Sequence, residues 1–281
     1  MRTIAHLSDL HFGREDLPLA EGLIEDLFAL SPSLIAISGD MTQRARKDQF
    51  RSAREFLDRL PSPRLIVPGN HDIPLFNLFA RFFDPLENWR KYLGNDINPR
   101  YEDDELLVLG ISTARSNVWK GGRISYEQID AVREALCATS GRFRVLVAHH
   151  PFTPLPHRPG EALVGRSLKA LRAFEECDVH LILTGHLHRG HSGDVRDHFH
   201  LLDRSVLTAH ASTTISNRRR GEPNAYNFVT VGDGGTRVEI EVREWTGSRY
   251  ASAAWTRFSR ADGAWKRDTG DLAWTKISTR H

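Results

Sequence analysis

Apolar residues fall along the chain in two kinds of run. Short, almost wholly apolar stretches occur at 2–8, 34–37, 65–67, 106–111, 143–148 and 179–183. Runs of that length, apolar at successive positions, predict strands buried on both faces. Between them lie stretches in which apolar residues recur every three or four positions, as on one side of a helix. Leu19, Leu23, Leu27 and Leu30 form one such stripe, stopped by Ser31-Pro32, and Phe50, Ala53, Leu57 and Leu60 form a second, followed by Pro61. Leu75, Leu78, Phe79, Phe82 and Phe83 predict a short helix broken at Asp84-Pro85. A helix over 125–136 is predicted to start at Ser125, with Gln128 completing a capping box, and another over 167–176 follows a Pro-rich loop at 153–165. After His188 the pattern changes to strand-like runs near 199–208, 226–231, 236–245 and 249–258, separated by Gly and Asp-Gly turns. Val238 to Val242 alternates strictly, as a half-solvated strand does. No linker or repeat interrupts the chain. The expectation is one domain over 1–281, an α/β core to which residues from about 189 add mainly antiparallel strands.

The composition of 40% hydrophobic and 26% charged residues is that of an ordinary globular domain. A net charge of +2 is too small to favour a nucleic acid or an anionic membrane as partner. No apolar run reaches the roughly 18 residues of a membrane span, and residues 1–9 lack the apolar core of a secretory signal. The two cysteines, Cys137 and Cys177, are too far apart for a CxxC motif and imply no disulfide framework. These features lead to the expectation of a reduced, soluble, cytoplasmic protein.

The chemistry is concentrated where the predicted strands end. Five successive apolar runs close on Asp9-Leu10-His11, Gly39-Asp40, Gly69-Asn70-His71-Asp72, His149-His150 and Gly185-His186-Leu187-His188. Ligands of open α/β sheets collect beyond the carboxyl ends of strands, and Asp, Asn and His supply the oxygen and nitrogen donors that borderline divalent metals take. Asp9 and His11 repeat the two-residue spacing of His186 and His188, which sends side chains to one side of an extended chain. His6 and His180 lie inside strands and read as core or edge residues. His210, before Ala211, could approach the pocket, and Arg218-Arg219-Arg220 reads first as a solvated loop and second as a phosphate clamp. Trp119 and the loops at 113–122 and 153–165 are candidates for the rim.

The ordered set DxH, GD, GNHD, HHP and GHxH, spanning positions 9–188, resembles that of the calcineurin-like metallophosphoesterases, in particular the branch of class III cyclic-nucleotide phosphodiesterases and glycerophosphodiesterases. The resemblance implies a four-layer αββα sandwich of two mixed sheets with a two-metal site at the strand ends. Carried over position by position, Asp9, His11 and His188 would hold one ion, and Asn70, His149 and His186 the other. Asp40 would bridge them. The ions would be two of Fe, Mn, Zn or Co. His71, next to Asn70, would be a general acid or a donor to a phosphoryl oxygen, with Asp72 orienting its ring and His150 in support. The implied activity is hydrolysis of a small phosphodiester, such as a 3′,5′-cyclic nucleotide, by attack of a metal-bound hydroxide. The alternatives are a phosphomonoesterase or nuclease using the same ions, and a binding scaffold without catalysis.

Overall fold

A computed structural model describes residues 1–268; residues 269–281 of the expected domain lie outside them. The elements in chain order are β1 (Arg2–Leu7), α1 (Leu17–Leu30), β2 (Leu34–Ile37), α2 (Lys47–Asp58), β3 (Arg64–Ile66), α3 (Leu78–Phe83), α4 (Glu87–Tyr92), β4 (Arg100–Glu102) and β5 (Leu106–Ile111). They continue as α5 (Tyr126–Cys137), β6 (Phe143–Ala148), α6 (Ser167–Glu176), β7 (Leu181–Thr184), β8 (His191–Asp194), β9 (Leu207–His210), β10 (Ala225–Gly232), β11 (Arg237–Trp245), β12 (Tyr250–Ala261) and β13 (Ala264–Arg267).

The strands form a seven-stranded sheet in the order β13-β12-β11-β10-β1-β2-β3 and a six-stranded sheet in the order β4-β5-β6-β7-β9-β8. Strand residues alternate between two cores, which explains the unbroken apolar runs. Leu34 and Ala36 of β2, Leu106 and Val108 of β5, and Val145 and Val147 of β6 meet in one core between the sheets. Their neighbours Ile35 and Ile37 turn outward under α1 and α2, and Leu107, Leu109 and Leu146 turn outward under α5 and α6. Helix, sheet, sheet and helix are the four layers, because every central strand must bury both faces. The first three strands run parallel and β10 returns antiparallel beside β1, pairing Ile4 with Val229. The mainly antiparallel second half is β10 to β13.

Most element boundaries match the pattern of the sequence, and Ser125 and Gln128 exchange backbone hydrogen bonds as the capping box requires. Three expectations change. The run 199–208 supplies only the start of β9, with the turns before it unpaired and β8 formed from the polar segment His191–Asp194. Helix α3 is turned over. Phe76, Leu78, Phe79, Phe82 and Phe83 are exposed, and Arg81 is the residue that is buried. Its guanidinium donates to the carbonyls of Pro74, Ser116 and Val118 and lies 4.2 Å from the Trp119 ring, so three backbone acceptors outcompete the aromatic face. The third change concerns the cysteines. Cys137 and Cys177, at the carboxyl ends of α5 and α6, form a disulfide with Cα atoms 4.7 Å apart. Helix packing brings them together, which a spacing of 40 residues does not reveal. Among the described residues, no helix is long and apolar enough to cross a membrane.

Candidate metal centre

All five polar strand ends open on one edge of the inter-sheet core. Asp9 and His11 follow β1, Asp40 follows β2, Asn70 follows β3, His149 follows β6, and His186 and His188 follow β7. The seven-stranded sheet therefore brings Asp9, His11, Asp40 and Asn70, and the six-stranded sheet brings the three remaining imidazoles. Backbone hydrogen bonds tie neighbouring ends together, from Asp9 N–H to Gly39, His11 N–H to Asp40, and Gly185 N–H to the His149 carbonyl.

The turns are tight. Asp9, His11, Asp40, His186 and His188 all have positive φ, between 49° and 70°. Non-glycine residues adopt that region at a cost of order 1 kcal/mol or more each, and such residues cluster where a site needs them. Space is equally restricted. A Cβ on Gly69 would lie 2.1 Å from Asp40 Oδ1, and one on Gly185 would lie 1.7 Å from Ser8 Oγ.

The donor atoms form two groups. In the first, Asp9 Oδ1 lies 3.5 Å from His11 Nε2 and 3.6 Å from His188 Nε2. In the second, His149 Nε2 lies 3.2 Å from Asn70 Oδ1 and 3.2 Å from His186 Nδ1. Asp40 faces both groups, with Oδ1 3.3 Å from His149 Nε2 and Oδ2 3.7 Å from His11 Nε2. The atoms not aimed inward are held from behind. Ser8 Oγ and the His186 N–H donate to Asp9 Oδ2 at 2.7 and 3.0 Å. His149 Nδ1 donates to the Ser38 carbonyl at 2.7 Å, and His188 Nδ1 donates to Thr213 Oγ1 at 2.7 Å. With the proton on Nδ1, each ring turns the lone pair of Nε2 inward, the tautomer that binds a metal.

A cation fits this set. Asp9 Oδ1 and both nitrogens of His11 are buried without a hydrogen-bond partner among the described residues, and buried polar atoms are rarely left so. The electrostatics agree. Burial alone would raise the Asp9 and Asp40 carboxyls, but the surrounding imidazoles hold both well below the usual carboxylate range. Burial opposes a charge on His149, yet Asp40 and Asp9 push it up to about 9. Burial and the neighbouring His149 push His186 down to about 3. Two carboxylates in a ring of imidazoles form a cavity that asks for positive charge. Imidazole, carboxylate and amide donors suit Mn, Fe, Zn and Co.

His71 stands over the first group, 5.0 Å from the His11 ring, with its backbone N–H on Asp40 Oδ1 at 2.8 Å. Asp72 does not orient the His71 ring. Its carboxylate accepts from the N–H groups of Gly69, Met41 and Thr42 and from Thr42 Oγ1, so it fastens the Asp40 and Asn70 turns to each other. Burial and Asp40 push Asp72 up to about 6. His71 Nδ1 donates instead to the Gln43 carbonyl at 2.8 Å. His150 is buried beside His149 and His186, its ring centroid 4.8 Å from each, with Nδ1 2.7 Å from Thr113 Oγ1. His210 points away from the donors, to Thr184 and Thr153, and His6 bonds Ser38 and Asn227 in the core.

Several contributors carry no motif of their own. Ser8, Ser38 and Thr213 act through hydrogen bonds to donor residues, and only their neighbourhood to a strand end marks them. Arg44 and Arg218 reach the His71 ring, with Nη1 of each 3.1 Å from Nδ1 and Nη1 of Arg218 2.6 Å from Nε2. Arg218 thus leaves the solvated loop of the first reading and joins the site. Trp119 stays half exposed at the rim.

Residues 2–190 match the family model described as calcineurin-like phosphoesterase. Among curated proteins, the chain is 26% identical over 201 residues to the glycerophosphodiester phosphodiesterase GpdQ of Enterobacter lignolyticus, covering 66% of this chain and 70% of that one. It is 24% identical over 209 residues to a probable cyclic nucleotide phosphodiesterase of a Synechococcus, covering 66% and 73%. Among solved structures, a dimetal phosphatase from Danio rerio superposes with a TM-score of 0.64 at 13% identity, over 89% of this chain and 98% of that one. The yellow lupin purple acid phosphatase PPD1 superposes with a TM-score of 0.62 at 13% identity, over 93% of this chain and 54% of the lupin chain.

Proposed function

The chain belongs to the calcineurin-like phosphoesterase family and is a phosphoric ester hydrolase, and we propose that it cleaves small phosphodiesters at a centre of two divalent ions. The observation that carries the proposal is the placement of Asp40, one carboxylate oxygen toward each donor group. Asp9, His11 and His188 would hold one ion, and Asn70, His149 and His186 the other. Such a pair would supply Lewis acidity to a phosphoryl oxygen and lower the pKa of a bound water.

The residues of the chain do the rest. Ser8, Ser38 and Thr213 fix the donors so that they need not reorganise when substrate arrives. His71 has its Nδ1 proton committed to Gln43 and its Nε2 covered by Arg218, so Nε2 meets a leaving alkoxide once that guanidinium moves aside, and in the imidazolium form it donates the proton the alkoxide needs. Asp72 locks the Asp40 and Asn70 turns to each other. The similarity to a glycerophosphodiester phosphodiesterase and to a probable cyclic nucleotide phosphodiesterase supports a diester over a monoester, and the near-neutral net charge speaks against a nuclease.

The test is metal content together with turnover. Purified protein reconstituted with Mn²⁺ should hold two equivalents and hydrolyse bis(p-nitrophenyl) phosphate faster than p-nitrophenyl phosphate. Asp40→Ala should lose both ions' worth of binding and at least a hundredfold in turnover while keeping its circular dichroism. A fully active Asp40→Ala protein, or one equivalent of metal at saturation, would sink the proposal.

A further inference from the structure

Arg44 and Arg218 meet at the His71 ring, each with Nη1 3.1 Å from Nδ1. Arg243 pairs with Asp26 and Glu241, and Arg260 with Asp178. Arg44 and Arg218 make no ion pair among the described residues, and both are half-buried. Each is nevertheless fixed in place. The Arg44 backbone N–H donates to Gln49 Oε1 at 2.8 Å, and its Nη1 donates to the Gln43 carbonyl at 3.1 Å. The Arg218 carbonyl accepts from Thr213 Oγ1 at 3.1 Å, the same hydroxyl that accepts from His188. The loop behind Arg218 is pinned by Asn224, whose amide donates to the Thr213 and Ser216 carbonyls.

Two divalent ions with Asp9, Asp40 and the Asp72 carboxylate behind them would leave one net positive charge. A phosphodiester monoanion and the hydroxide that displaces its alcohol supply two negative ones, and Arg44 and Arg218 add two positive ones. One positive charge is left over, which a single further negative charge on the substrate would answer. Their position says where an answering charge would sit. Because His71 Nδ1 donates to Gln43, its Nε2 carries the lone pair and accepts from Arg218 Nη1 at 2.6 Å. A leaving oxygen that meets Nε2 must displace that guanidinium, and a guanidinium moves at least cost when an anion receives it.

We infer that Arg44 and Arg218 form an anion clamp beside His71 that selects phosphodiesters whose leaving group carries its own negative charge, a carboxylate or a further phosphate. The inference rests on the two-metal phosphodiesterase reading, and it names the substrate class of that site. The test uses the full chain loaded with Mn²⁺ and two matched pairs of probes. For turnover these are methyl 3-carboxy-4-nitrophenyl phosphate and methyl 4-nitrophenyl phosphate. For binding they are the monomethyl esters of 3-carboxybenzylphosphonate and benzylphosphonate, in which carbon replaces the scissile oxygen, measured by calorimetry. The carboxylated member of each pair should be favoured about tenfold or more, the value of one good charge-assisted hydrogen bond. In the double variant Arg44→Gln/Arg218→Gln that ratio should fall to about one, and Arg44→Lys/Arg218→Lys should keep part of it. Adding 0.5 M salt should erode it in the parent protein. Equal binding of the two phosphonates by the parent protein, or an unchanged ratio in either double variant, would overturn the clamp. Discrimination in binding without turnover of either aryl ester would leave the clamp standing and remove the phosphodiesterase reading instead.

Discussion

Gly185→Ala isolates the tightest contact of the centre. The φ of Gly185 lies outside the left-handed region, so its backbone conformation is open to alanine and space alone forbids it. The new Cβ would meet Ser8 Oγ at 1.7 Å, Ser8 Cβ at 2.8 Å and Asp9 Oδ2 at 2.8 Å. Either the strand ends separate or Ser8 rotates away and gives up its 2.7 Å hydrogen bond to Asp9. Overpacking of this kind costs about 1–3 kcal/mol, and a hydrogen bond to a charged group contributes about 1.5–3 kcal/mol. A loss of roughly 3 kcal/mol lowers the melting temperature of a chain this size by about 6–12 °C. Asp9 would also be released from its outer support, which weakens metal affinity roughly 10–100-fold. Thermal melts followed by circular dichroism, with Mn²⁺ titrations, read both effects. The double-mutant cycle with Ser8→Gly makes the reasoning refutable. Removing the Ser8 side chain clears the two Ser8 contacts, including the shortest, and leaves the 2.8 Å one to Asp9 Oδ2, so Gly185→Ala should cost at least 1 kcal/mol less in that background. Additive costs, within about 0.5 kcal/mol, would show that the Ser8 contact is not the cause.

Three further expectations follow from the same coordinates. Asp72→Ala strands the N–H groups of Gly69, Met41 and Thr42 and should cost about 3–5 kcal/mol in urea unfolding; stability within 1 kcal/mol of the parent would contradict its fastening role. His180 is buried, accepts the Arg144 N–H on Nδ1, and is pushed down to about 4, chiefly by burial. The unfolded chain takes up its proton near the ordinary imidazole value and the folded chain does not, so its stabilising contribution is complete above about pH 6.5 and fades toward pH 4. His180→Gln should therefore flatten the loss of stability between pH 7.5 and 5.5 by roughly 1 kcal/mol, and parallel stability curves for the two proteins would refute this. Finally, Cys137→Ser/Cys177→Ser removes a cross-link over 40 residues, worth about 4 kcal/mol of loop-closure entropy. A melt insensitive to that change and to reductant would argue against the bond.

The strands and their polar ends were legible because burial on both faces leaves unbroken apolar runs, and each run stops where the chain turns at a polar residue. Asp9, His11, Asp40, Asn70, His149, His186 and His188 converge for that reason. The features that were not legible depend on contacts between distant segments. Arg81 is buried beneath exposed phenylalanines because three carbonyls from two loops meet there, and no periodicity along α3 encodes them. Asp72 was readable as a polar neighbour of His71, but which partners it takes depends on the turn after β2 folding against it. Arg218 looked like a solvated cation because the hydroxyl that anchors its loop, Thr213, and the ring it covers, His71, are far apart in sequence. The disulfide was hidden in the same way by helix packing.

The position of β1 also sets when the centre can exist. Asp9 and His11 are made well before β10, and β1 has its antiparallel neighbour only when β10, ending at Gly232, has been made. At the usual pace of about 5–20 residues per second, translation takes roughly 10–45 s to cover that interval. During it the nascent chain carries Asp9 and His11 without the strand pairing, the Thr214 N–H on Ser8 O, or the His188 ring that shape their surroundings. Chains cut short before β10, even ones containing every motif through His188, therefore lack the strand that braces Asp9 and His11 from one side.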